Sequence, residues 1–83
     1  MDPAKTRNLE EHGYLFDNEL LCFVNKKEGK VFSSAWIDGK NSNTVRITLS
    51  LPHKPAAWKL FLNPDQPHEE IRIALYEKYG KTP

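Results

Sequence analysis

Between Glu19 and Leu51 the chain alternates apolar and polar residues through three short segments, separated by turns rich in lysine, glycine and asparagine. A period of two is the side-chain repeat of a strand, so this stretch predicts an antiparallel sheet. Glu19–Asn25 and Lys30–Ile37 flank the loop Lys26-Lys27-Glu28-Gly29. Glycine at the last loop position suits a hairpin that closes on a left-handed residue. Pairing Asn25 with Lys30 then sets Phe23 opposite Phe32 and Val24 opposite Val31. Phe23, Phe32 and Trp36 share one face with Leu21, while Leu20, Cys22, Val24, Val31, Ala35 and Ile37 share the other. A second polar turn, Asp38 to Asn43, leads into Thr44–Leu51. There Val45, Ile47, Leu49 and Leu51 point one way and Arg46, Thr48 and Ser50 the other. The aliphatic side of that strand joins Phe23, Phe32 and Trp36, which makes theirs the expected core face.

Pro52 and Pro55 end the third strand. Ala56–Leu62 fits a fourth strand with Trp58, Leu60 and Leu62 inward, or a two-turn buried helix; the strand is preferred. A C-terminal helix follows. Pro67 suits its first position, with Gln66 or Asp65 capping and Glu69 and Glu70 set against the positive end of the helix dipole. Ile71, Ala74, Leu75 and Tyr79 form its buried stripe, and Gly80 stops it. Residues 2–13 read as a short helix or an arm, with Asp2 and Pro3 at its start, Gly13 at its end, and only Ala4 and Leu9 to bury. The expected fold is α+β: a small antiparallel sheet of three to four strands packed by one C-terminal helix. Residues 1–13 form the arm or helix, and residues 14–83 a single domain.

Eighty-three residues sit near the lower size at which one core sustains folding unaided. A lone cysteine, Cys22, forbids an intramolecular disulfide, so the chain is not a disulfide-stapled scaffold. No apolar run approaches the roughly 20 residues needed to span a bilayer. The first residues carry charges with no apolar stretch behind them, so a signal peptide is not expected. An intracellular, cytoplasmic location without membrane attachment is the resulting expectation. The net charge of +1 carries no basic excess of the kind dedicated nucleic-acid binders show.

Few residues suggest chemistry. His68-Glu-Glu-Ile-Arg72 resembles a zinc-protease helix, but arginine stands where the second histidine ligand is required. His12, His53 and His68 are far apart and match no structural zinc spacing, so no metal is expected. Cys22 lies inside a strand segment between apolar neighbours, the setting of an inert thiol. No serine sits in a nucleophile elbow, and no glycine-rich loop precedes a helix. Glu10/Glu11 and Glu69/Glu70 are adjacent on helical segments and therefore diverge. Neither catalysis nor a cofactor is expected.

Two binding readings remain. In the first, the chain is a small nucleic-acid-binding domain, for DNA or RNA. Lys26, Lys27, Lys30 and Lys40 then contact phosphates, and Arg46, Thr48 and Ser50 present a recognition face. Phe23, Phe32 and Trp36 would stack bases if their face were bare, and form the core if it is covered. In the second, the chain is a protein-interaction module, such as a small inhibitor or adaptor of the kind phages and other mobile elements encode, with self-association into a homodimer as one form. Trp58, Lys59 and Phe61 are its candidate contacts, because Lys59 and Phe61 face outwards together if their segment is a strand.

Overall fold

A glycine ends the first helix and turns the chain into the sheet. Helix α1 spans Pro3–Glu11 in a computed structural model that describes residues 3–39 and 57–80. Gly13 adopts φ 89°, a left-handed conformation that favours a residue without Cβ. The Gly13 N–H donates to Glu10 O and the Tyr14 N–H to Leu9 O, both at 3.0 Å. This pair of bonds is a Schellman cap, and its usual apolar contact is made by Leu9 and Tyr14, both fully buried in one cluster. The cap is also tied to the sheet, since Asn25 Nδ2 donates to His12 O at 2.9 Å. The N-terminal segment is thus a docked helix.

Strands β1 (Leu15–Asp17), β2 (Cys22–Asn25) and β3 (Lys30–Ser33) follow as a meander. The expected β2–β3 register is present, with Phe23 opposite Phe32, Val24 opposite Val31 and Asn25 opposite Lys30. Gly29 has the left-handed φ of 65° that the loop requires. The β1–β2 hairpin, which the sequence reading missed, is built the same way. Asp17 pairs with Cys22 across residues 18–21, and the last loop residue, Leu21, adopts φ 55°. Both loops are braced by the side chain just before them. Asp17 Oδ1 accepts from the N–H groups of Glu19 and Leu20, and Asn25 Oδ1 accepts from that of Glu28. Leu20 and Leu21 therefore belong to a turn, and the strand expected from Glu19 begins at Cys22.

Strand β3 is also shorter than expected. Ser33 Oγ accepts from the Trp36 N–H at 3.0 Å and caps a one-turn helix, α2 (Ser34–Asp38). The serine cap overrides the alternation that had carried Trp36 and Ile37 along a strand. Helical rotation brings Ile37 to the same side as Trp36 rather than opposite it.

Strand β4 (Lys59–Phe61) confirms the preferred strand reading of that segment, but it runs parallel to β3, with Val31 opposite Leu60 and Phe32 opposite Phe61. The sheet, in order β1-β2-β3-β4, is therefore mixed rather than purely antiparallel. The chain leaves β3 through α2 at one end of the sheet and enters β4 at the other, as a parallel pair demands. The fold class is α+β as expected. The predicted strand Thr44–Leu51 lies outside the described residues.

Both faces of the sheet are covered. Phe23 and Phe32 are buried with Leu9, Tyr14, Trp36 and Ile37, beneath α1 and α2. Cys22, Val24 and Val31 are buried with Trp58, Leu62, Ile71 and Leu75, beneath the C-terminal helix α3 (His68–Tyr79). The C-terminal helix thus lies on the Cys22 face, opposite to the face expected to be the core. Burial of Ile71 and Leu75 stabilises the fold by roughly 1.5–3 kcal/mol each. Gly80 ends α3 with φ 79°. Gln66 does not cap its start. Its Oε1 accepts instead from Asn63 N and Ser33 Oγ, at 2.6 and 2.8 Å, fixing the turn before α3 to the end of β3.

Candidate interaction surface

The polar centre of the molecule is Asp17, whose side chain is 1% exposed. Its Oδ1 braces the loop backbone, while Oδ2 accepts from Tyr79 Oη at 2.6 Å and from Lys78 Nζ at 2.9 Å. Lys78 also reaches Glu19 Oε1 at 2.9 Å. Burial pushes the Asp17 carboxyl up, but the hydrogen bonds from Lys78, Tyr79, Leu20 and Glu19 outweigh it and hold the group at about 2. Burial and the bond to Asp17 raise Tyr79 to about 12, and Asp17 and Glu19 raise Lys78. Every acceptor direction of Asp17 is committed to the fold, so the group is structural. Its signal in the sequence was the short polar run Asp17-Asn18-Glu19 between two apolar stretches.

The Cys22 thiol is equally internal. It is fully buried, donates to Leu20 O at 3.1 Å, and is pushed up to about 11 by burial and by the nearby Asp17 charge. Such a thiol is a poor nucleophile at neutral pH. His12 and His68 are exposed and bond only to nearby carbonyls, Asn8 O and Gln66 O. Among the described residues no three of His, Cys, Asp and Glu come together, and no helix is long and apolar enough to cross a membrane.

The residues selected from sequence divide sharply. Lys26 and Lys27 are exposed at the tip of the β2–β3 hairpin. Lys30 is 2% exposed, its Nζ 3.9 Å from Glu28, because its place opposite Asn25 turns its stem inward. It does not present its amine to a phosphate. Lys40, Arg46, Thr48 and Ser50 lie outside the described residues, as does His53. Phe23, Phe32 and Trp36 are core, so no bare stacking platform exists on β2 and β3.

Of the second set, Trp58 is buried, with its indole N–H donating to Gly80 O at 2.8 Å and its own carbonyl accepting from Arg72 Nη1 at 3.0 Å. It pins the start of β4 to α3 and offers nothing to a partner. Phe61 is half-buried, stacked on Phe32 with ring centroids 4.5 Å apart and 10° between planes. Only Lys59 is exposed, its amine 5.6 Å from the centre of the Phe61 ring.

The exposed apolar surface lies elsewhere. Leu15 is 76% exposed and Phe16 39%, both on the edge strand β1. Among the described residues nothing pairs with the outer edge of β1. Beside it is a pocket of about 270 Å³, lined by Thr6, Glu10, Tyr14, Leu15, Phe16 and Phe23. That volume falls just below the roughly 300–1,000 Å³ of sites for drug-sized ligands and suits one bulky side chain. Sequence reasoning missed this surface because Leu15 and Phe16 are two neighbouring apolar residues, and such a pair gives no period.

Comparison with protein-family models, with curated proteins and with solved structures finds no match for this chain.

Proposed function

We propose that the chain is a non-catalytic protein-interaction module that receives an extended segment of a partner protein along β1. The observation that carries this reading is the edge of β1, unpaired among the described residues, with Leu15 and Phe16 exposed on it. Added strands gain affinity from main-chain hydrogen bonds and specificity from pockets that take alternate side chains. The pocket between α1 and β1 supplies such an acceptor. The covered sheet faces leave the edge as the route by which the sheet meets a partner.

A nucleic-acid-binding domain is the second reading, favoured by the exposed pair Lys26 and Lys27. One experiment separates the two. The protein is used to select binders from displayed random peptides, and in parallel is titrated into labelled DNA and RNA at low and moderate salt. The interaction reading expects enriched peptides whose binding is lost in Phe16→Asp and kept in Lys26→Glu/Lys27→Glu. Saturable nucleic-acid binding that weakens with salt, is lost in the lysine variant and ignores Phe16→Asp would overturn it in favour of the second.

A further inference from the structure

The two hairpin loops share one geometry but not one residue type. Each closes on a left-handed residue after a braced turn, with Gly29 in the second loop at φ 65° and Leu21 in the first at φ 55°. Glycine meets this requirement without strain, and a leucine does not. Nor is the Leu21 side chain compensated by burial, since the residue is 58% exposed. An unfavourable backbone and an exposed apolar side chain coincide at one position. Such coincidences collect where contact with another molecule is made.

Leu21 stands on the lip of a cleft of about 470 Å³ between the first hairpin loop, the start of α2 and the start of α3. Leu20, Ala35, Pro67 and Ile71 contribute its apolar lining, and Glu19 and Glu70 its charge. Among the described residues, no lysine, arginine or histidine lines it. Lys78 pairs with Glu19 at 2.9 Å, while Glu70, in the first turn of α3, is exposed. The cleft is a different surface from the β1 edge.

We infer that this cleft is a docking site for a basic, aliphatic peptide segment of a partner protein, with Leu21 packing against its aliphatic side chains and Glu70 facing its lysine or arginine. An anionic occupant would meet the exposed carboxylate of Glu70, with Glu19 already paired to Lys78 and no cation among the described lining residues. Leucine stands at position 21 in place of glycine because the side chain belongs to the interface.

The test titrates the isotopically labelled full chain with a peptide of alternating leucine and arginine and, separately, one of alternating leucine and glutamate. Expected are saturable shifts of the Leu21, Ala35 and Glu70 amides with the arginine peptide alone. Leu21→Ala and Glu70→Arg each weaken binding at least tenfold, and Phe16→Asp leaves it unchanged. Leu21→Gly also weakens binding but raises the unfolding midpoint by several degrees. The inference is overturned by shifts confined to Leu15 and Phe16, by equal binding of the glutamate peptide, or by no binding. A lower midpoint in Leu21→Gly, which would make Leu21 a structural residue, overturns it too. So does dimerisation of the free chain through the cleft, which would make a second copy its occupant.

Discussion

Tyr79, near the end of the last helix, donates a 2.6 Å hydrogen bond to Asp17, the last residue of the first strand. Lys78 reaches the same oxygen at 2.9 Å. The first strand and the last helix are thereby joined at one buried carboxylate. Because Asp17 also braces the loop that follows it, helix docking and hairpin closure depend on a single side chain.

Acid tests this dependence. The Asp17 carboxyl is held at about 2, below its ordinary value of 3.8. A group whose folded value is depressed contributes fully above its unfolded value and loses that contribution as pH falls through its folded value. The unfolding midpoint is therefore expected to fall between about pH 4 and pH 2. Asp17→Asn is expected to destabilise the protein by about 2 kcal/mol at neutral pH, as loss of a charged hydrogen-bond acceptor does, and to flatten that window. Thermal unfolding followed by circular dichroism across pH measures both.

Tyr14 gives the opposite sign. Its ring packs 5.4 Å from Phe32, and its buried hydroxyl has no hydrogen-bond partner among the described residues. Burial and the charge of Glu28 raise its pKa. An unsatisfied buried hydroxyl costs about 1–3 kcal/mol, so Tyr14→Phe is expected to be neutral or stabilising by up to ~1 kcal/mol. That corresponds to as much as roughly 4–8 °C in a domain of this size. A fall in the midpoint on calorimetry would show that the hydroxyl is engaged.

Trp58 and Phe16 separate stability from binding. Trp58→Ala leaves a cavity in the core and takes the indole donor away from Gly80 O, and is expected to cost about 3–5 kcal/mol. In a marginal domain that amounts to unfolding in mild urea. Phe16→Asp, on a half-exposed edge, is expected to shift stability by no more than about 1 kcal/mol while abolishing peptide binding. Urea titrations of both variants, read beside the peptide selections, distinguish a core aromatic from a contact aromatic.

Cys22 is expected to resist a thiol reagent in the folded protein and to react in denaturant, following its burial and its raised pKa of about 11. Rapid labelling of the native chain would mean that the Cys22 face opens.

The pattern of residues foretold the parts of the fold in which local rules act alone. Gly29 announced its own turn, and the alternation from Cys22 to Ser33 set a register that the structure reproduces. Gly13 and Gly80 marked the ends of helices for the same reason. The first hairpin escaped notice because leucine fills its left-handed position, so the turn had no glycine to signal it. At Ser33 a side-chain cap outweighed the strand period, and helix α2 replaced the expected strand. The parallel approach of β4 was hidden for another reason: strand direction depends on the connection and not on the strand's own residues. The candidate site suffered most. An exposed edge is defined by what does not pair with it, and no single segment encodes that.

The parallel pairing of β3 with β4 also sets an order of events. The first three strands are joined by tight turns and form from neighbouring residues, whereas Lys30 meets Lys59 only after the intervening chain has closed a long loop. Local contacts form early because their closure entropy is small. The meander is therefore expected to dominate the rate-limiting step of folding, with β4 and α3 docking afterwards. In a chevron analysis, trimming Val31 to alanine would then slow refolding, while trimming Leu75 would chiefly hasten unfolding. During synthesis, the half that carries the open edge acquires its shape before the half that covers its other face.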